Sequence, residues 1–531
     1  MAPKTLRRAT GISSALLVGA LALTGCAGGG GSEAPAESTG TLVIDQAFTA
    51  QSIDPATIFQ VTDAITATGV YQTLFAYIGD DPEPQPLLAE SIEANDDSTQ
   101  FTVVLREDAT FANGNPVTAD DVVFSLNRLK HLQSSPAYRM DGVTVAAADE
   151  RTVTFTTESP MPYFAHTLTA TPLSIVDDET VRAAGGTDAE DAIDADTAGT
   201  FFTEPANGAG SGPYVLEAYD TNSQIVLVKN EDYWGEAPAY DRIVIRNVNN
   251  AQQQKANIEG GESQIALDIP GRIAEGMASD ALQVQSTSSP EVLYLALSQA
   301  DGAPTSDPDV LEAVKLGLDY EALRTIVGAG AVPATGIIPT KLIGALPEDE
   351  APKSDPEAAK KLLEDAGKAG TEVTFDFAND YTRLAGIDYN TLAQGIQSQL
   401  EAIGLKVALN PTPTSTSLQN YVDGSTQMAM WSWPPDTAAP TDVLVFSAGD
   451  LLGERVHWSA EAAPEIAALA ETARTTGGDA GAEAFTEWNR LMNEQSPFVP
   501  LLEPSFYLVA SSGVEQISHD PLATINLSQI R

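Results

Sequence analysis

Apolar residues along this chain recur with two periods. Alternation predicts strands at TLVIDQAF (41–48), FTVVLRE (101–107) and RTVTFTT (151–157). It continues through a hairpin in GSGPYVLEAYDTNSQIVLVKNEDYWG (210–235) and a strand at DRIVIRNV (241–248). A stripe through Val70, Leu74 and Ile78 predicts a helix from Ile65 to Ile78. Another helix is predicted in DVVFSLNRLK, where Thr118 and Asp121 have capping-box spacing. SPMPYFAHTLT (159–169) leads into a helix, and the Ala-, Gly- and Asp-rich stretch 183–212 reads as a surface loop.

From about residue 290 the pattern resets. LYLALSQ reads as a strand, DPDVLEAVKLGLDYEALRTIV (307–327) as a long helix, and DPEAAKKLLEDAG (355–367) as a helix with an Asp-Pro start and a Gly stop. VTFDFAN, NTLAQGIQSQLEAIG and LKVALNP then form a β-α-β unit, which predicts a parallel sheet. QMAMWSWPPDTAAP (427–440) is a further strand that meets two prolines and an aspartate, and PFVPLLEPSFYLVASS returns to strands. Alternation sets Ala429, Trp431 and Trp433 on one face of the 427–433 run, and Met428, Met430 and Ser432 on the other. The whole is an α/β pattern in two bodies, without solenoid repeats.

Composition narrows the class. At 531 residues the chain predicts two to four domains. Its net charge of −47 becomes −50 once residues 1–25 are set aside, since they hold Lys4, Arg7 and Arg8 and no acid. Such a field repels nucleic acid. The same opening residues run from a basic stretch through ISSALLVGALAL to TGCAGGGGS, the layout of an export signal. Leu23-Thr24-Gly25-Cys26 resembles a bacterial lipobox, in which Cys26 becomes the lipid-bearing N-terminus. It is the chain's one cysteine, so no internal disulfide is expected. Residues 26–40 then form a lipid-anchored flexible tether, spanning roughly 20 Å. The expected location is the outer face of the cell membrane, by either the general or the twin-arginine export route.

Signatures of catalysis are missing. Gly208-Ala209-Gly210-Ser211-Gly212 fails the serine-elbow, phosphate-loop and dinucleotide spacings. His131, His166, His457 and His519 are scattered, so neither a metal site nor a cofactor is expected. Asp120 and Asp121 are explained by the helix N-terminus they occupy. A binding protein is the simplest reading, with a secreted hydrolase assembled from distant segments as the rival.

Further motifs point to a family. Ser52-Ile53-Asp54-Pro55, Tyr71-Gln72-Thr73-Leu74 and PQPLLAESIEANDDSTQFTVVLREDATFANGNPVTADDVVFSLNRL (84–129), with the 210–235 hairpin and the 355–367 helix, resemble the family 5 extracellular solute-binding proteins of ABC importers, the peptide and nickel type. The resemblance implies a two-lobed periplasmic-binding-protein-like clamp of type II with an extra inserted domain. Lobe I is expected to comprise 41–75, 177–288 and 506–531, the insertion 76–176 and lobe II 289–505. The clamp closes on its ligand, works as a monomer and hands its cargo to membrane permease subunits. Peptides are the implied ligand, with oligosaccharides, metal chelates and other amines as alternatives.

The resemblance also implies site residues. In peptide-binding members a strand ends in tryptophan, two small residues and an aspartate that receives the peptide ammonium; Trp433, Pro434-Pro435 and Asp436 stand there, with Pro440 beyond. The prolines cannot donate ladder hydrogen bonds, so they end the strand and hold Asp436 at its edge. Trp431, Ser432 and Trp433 line the same strand, Phe59 and Val61 align with the opposing wall, and Tyr138 follows the Ser-Pro-Ala137 turn. A sugar ligand would instead stack on Trp431 and Trp433. Three positions depart from the peptide binders. Ala439 replaces an acid, Met430 an arginine able to meet a peptide carboxylate, and Ala137 an aromatic residue, which leaves the ligand's amine end better provided for than its carboxyl end.

Overall fold

The computed structural model describes residues 40–48, 52–328, 330–381, 387–517, 519–522 and 524–531, except for the side chain of Val61. Residues 1–39, with the expected leader, Cys26 and nearly all of the tether, lie outside the described residues.

Three principal sheets organise the chain. One has seven strands in the spatial order Leu282–Ser288, Ser505–Ser511, Ile265–Ala266, Thr41–Gln46, Arg242–Asn247, Gln224–Lys229 and Tyr214–Asp220. A five-stranded sheet runs Lys406–Thr412, Glu372–Ala378, Met428–Trp433, Val292–Leu297 and Phe498–Leu502. A four-stranded antiparallel sheet runs Ala89–Ala94, Gln100–Leu105, Thr152–Thr157 and Val143–Ala147, and Phe101, Val103 and Phe155 pack from it against Val122, Leu126 and Leu129 of the helix Ala119–Leu132. The predicted β-α-β unit is present: Glu372–Ala378 and Lys406–Thr412 pair in parallel around the helix Tyr389–Ala402.

Local chemistry accounts for the helix starts. Thr118 and Asp121 form the capping box reciprocally, with the Asp121 carboxylate accepting from the Thr118 amide at 2.8 Å. Asp307 and Asp355 cap helices whose first residue is proline, where a missing N–H costs nothing.

Two predicted helices are shorter than their stripes. The first runs Val61–Val70 and stops well before Ile78, because the Val70 carbonyl accepts from the Gly212 amide at 2.9 Å. That approach needs glycine: a Cβ at Gly210 would lie 2.1 Å from the Val70 oxygen. The glycine cluster 208–212 is therefore a packing device. The long pattern at 307–327 is two helices, Pro308–Gly317 and Tyr320–Val327, because Asp319 caps a new start by accepting from the Ala322 amide.

Both faces of Met428–Trp433 are core. Met428 and Met430 join one cluster with Phe375, Leu392 and Ile396, while Ala429 and Trp431 join another with Tyr421, Phe446 and Phe498. A central strand covered on both sides loses its polar face.

The chain passes between the seven- and five-stranded sheets at two places. Leu282–Ser288 leads into Val292–Leu297, and Phe498–Leu502 returns into Ser505–Ser511. The two crossings lie side by side, with the Ser289 amide donating to the Pro504 carbonyl at 2.8 Å. Glu503 sits at the second crossing, buried, accepting from the Thr340 amide at 2.8 Å and its hydroxyl at 2.7 Å.

Candidate functional site

The strand Met428–Trp433 ends at Pro434-Pro435, and Asp436 follows on the loop. Its side chain is 44% exposed and meets residues from the turn Ser135–Met140, which follows the helix Ala119–Leu132. The Tyr138 hydroxyl donates to one carboxylate oxygen, and the Arg139 guanidinium lies 3.3 Å from the other. Arg139 is only 11% exposed, with its guanidinium 5.2 Å from the centre of the Tyr138 ring. Burial and the Asp436 charge push the Tyr138 hydroxyl above its ordinary range, so it stays a donor.

A second carboxylate stands behind the first. Asp442 accepts from the Thr437 amide at 2.7 Å and hydroxyl at 3.1 Å, and burial followed by the Asp436 charge pushes it up to about 6. The same loop is pinned by Tyr77, whose hydroxyl accepts from the Ala438 amide at 2.9 Å and lies 3.1 Å from His166 Nδ1. Burial holds His166 down at about 4, so its ring is neutral near pH 7 and shares a hydrogen bond with the Tyr77 hydroxyl through Nδ1.

The turn bearing Tyr138 and Arg139 is anchored from below. Arg128 is buried between two carboxylates: Asp54, at 2.8 and 2.7 Å, and Asp196, at 2.8 and 3.1 Å. Asp54 also caps the short helical turn Pro55–Thr57, and the Ser134 hydroxyl donates to the Ala56 carbonyl at 2.5 Å. One guanidinium thus ties the Ser52–Pro55 motif to the helix that leads into the Asp436-facing turn.

Of the sequence-predicted residues, Asp436 and Tyr138 come together directly. Trp431 is 6% exposed, stacked on Tyr421 with ring centres 5.9 Å apart and edge-on to Tyr381 at 6.1 Å. Trp433 is half-buried against Phe446 at 6.0 Å. Neither indole N–H has an acceptor among the described residues. Ser432 is buried with its hydroxyl 2.9 Å from that of Tyr381. Phe59 stands 55% exposed before the helix Val61–Val70, outside the contacts that join Asp436 to Tyr138, and the Val61 side chain lies outside the described residues. Sequence reading missed Arg139, Tyr77, Asp442 and Arg128. Only Arg128 carried a local signal, a cation on the apolar stripe of a helix.

Among the described residues no group of three or more His, Cys, Asp or Glu is placed to hold a metal ion, and no helix is long and apolar enough to cross a membrane. Two sheets joined by paired crossings, with a carboxylate on the loop after a central strand facing a separate wall, define a two-lobed α/β clamp of the solute-binding class. Residues 83–450 match the family described as bacterial extracellular solute-binding proteins, family 5 (middle region), and the chain belongs to that family. It is 25% identical to a probable D,D-dipeptide-binding periplasmic protein, DdpA, of Escherichia coli, over 91% of this chain and 92% of that one. HbpA2 from Haemophilus parasuis shares the fold at a TM-score of 0.81 and 21% identity, covering 92% of this chain and 99% of its own. DppA from Helicobacter pylori, solved with the peptide STSA, superimposes with a TM-score of 0.71 at 21% identity, over 92% and 98% of the two chains.

Proposed function

We propose that this protein is the peptide receptor of an ABC importer, capturing di- or oligopeptides between its lobes and delivering them to a membrane permease. The observation that carries the reading is Asp436: a carboxylate on the loop after a proline-stopped strand, open on one side and faced by a second wall. It accepts the peptide's α-ammonium, with Tyr138 beside it. Trp433, Trp431 and Ser432 back the strand side, and Phe59 and Val61 serve the opposing wall. Lobe I comprises 41–75, 177–288 and 506–531, with 76–176 inserted, and lobe II comprises 289–505. The receptor carries out no covalent chemistry, acts as a monomer and is held at the membrane by lipid on Cys26.

A charge-assisted hydrogen bond to Asp436 contributes about 1.5–3 kcal/mol. Micromolar affinity needs about 8 kcal/mol, so backbone pairing and apolar burial supply the remainder. The sugar alternative is disfavoured because Trp431 is already covered by Tyr421 and Tyr381. Calorimetry tests the peptide reading: Asp436→Ala is expected to weaken a free-amine peptide more than tenfold while the fold is retained by circular dichroism. Equal affinity in the two proteins would end it. For the anchor, Cys26→Ser is expected to release the protein from the membrane fraction of an expressing bacterium.

A further inference from the structure

The family arginine able to meet a peptide carboxylate is Met430 here, and Met430 is buried in the core. A different cation lies at the site. Arg139 faces Asp436 at 3.3 Å, is 11% exposed, and has a buried Nε with no acceptor among the described residues.

We propose that Arg139 is the second charge anchor of the site and takes the ligand's carboxylate when the ligand's ammonium takes Asp436, so that the receptor selects short zwitterionic peptides. This deepens the peptide reading above and rests on it. The physical reason is the cost of leaving either partner alone. In the structure Arg139 and Asp436 neutralise one another. A ligand bearing only an ammonium displaces Arg139 and strands a largely desolvated guanidinium, which is strongly unfavourable. A ligand bearing both charges exchanges one ion pair for two. A guanidinium also offers a planar fork that matches a carboxylate, and Nε supplies a donor that has no acceptor among the described residues.

Length follows from the same geometry. Asp436 and Arg139 are neighbours, so the ligand's two charges must lie close together. An extended dipeptide spans roughly 7 Å, and each further residue carries the carboxylate roughly 3.5 Å farther off. Dipeptides therefore satisfy both anchors, and tetrapeptides lose one.

The test is calorimetry with Ala-Phe, its C-terminal amide and tetra-alanine, using the full body of the protein. For the unaltered protein, amidation is expected to cost at least tenfold in affinity. Arg139→Gln should shrink that ratio below threefold, and Arg139→Lys, which keeps the charge and loses the fork, should fall between. A free-to-amide ratio unchanged in Arg139→Gln overturns the proposal, as does unaltered protein that binds both forms equally. Should Arg139→Gln fold poorly, an Arg139→Lys ratio matching the unaltered protein, together with equal affinity for Ala-Phe and tetra-alanine, also overturns it. If the unaltered protein binds none of these peptides, the peptide reading itself falls. Loss of binding in Asp436→Ala with the ratio intact in Arg139→Gln sinks this inference alone.

Discussion

The Tyr77 hydroxyl takes the Ala438 amide hydrogen at 2.9 Å, joining positions 361 residues apart in the chain. The bond is buried, and the same oxygen reaches His166. It fixes the loop that carries Asp436 to the wall that carries Tyr138. Tyr77→Phe removes the hydroxyl and leaves a buried amide and a buried imidazole nitrogen unpaired. A loss of about 1–3 kcal/mol in chemical unfolding is expected, together with weaker ligand binding. An unchanged unfolding midpoint would show that the loop is held elsewhere.

Arg128 holds two buried carboxylates at once. Arg128→Leu strands both, and a loss of about 3–5 kcal/mol is expected in urea unfolding. Adding Asp54→Asn and Asp196→Asn should recover part of that loss, because the orphaned charges disappear. A triple variant weaker than the single one would contradict the desolvation account.

Gly210 and Gly199 make a controlled pair. A Cβ at Gly210 collides with the Val70 carbonyl oxygen, while one at Gly199 meets nothing within 4 Å. Gly210→Ala is expected to cost about 1–3 kcal/mol through forced backbone displacement. Gly199→Ala should be neutral or slightly stabilising. Equal effects in a thermal melt would refute the packing role of the 208–212 cluster.

Glu503 yields a pH dependence. Burial pushes its carboxyl up to about 7, outweighing the Thr340 bonds and the Lys341 charge. The unfolded value is about 4.3. Between those values the folded protein binds the extra proton, so this group's stabilising contribution is complete below about pH 4 and is lost as pH rises through about 7. The slope approaches about 1.4 kcal/mol per pH unit for one proton. Glu503→Gln, a permanent neutral, should therefore gain on the unaltered protein from pH 5 to pH 8 in parallel denaturant titrations. A constant gap across that range would exclude Glu503 as the titrating group.

Much of the fold was legible locally. Alternation located the strands at 41–46, 100–105, 152–157, 242–247 and 428–433, and three-residue spacing exposed the Thr118–Asp121 cap. The errors arose where a distant partner decided the outcome. Leu74 and Ile78 extend the helical stripe well, yet the helix ends at Val70 because an amide from Gly212 takes its carbonyl. Both faces of the tryptophan strand are buried because helices cover each side of its sheet, which alternation within one strand does not reveal. The meeting of Tyr138 with Asp436 spans 298 residues, so no local period encodes it. The resemblance supplied Asp436 and Tyr138 as candidates, but Arg139, which differs from the expected arrangement, emerged only in three dimensions.

The bond from Ser289 to Pro504 has a mechanical meaning. Two ribbons stitched edge to edge behave as one strap, and neither half of the body twists on one ribbon without dragging the other. The expected consequence is that opening follows a single swing, with guests of unequal bulk halting it at different angles. A pair of spin labels, one on each half, would read the guest's size as one distance.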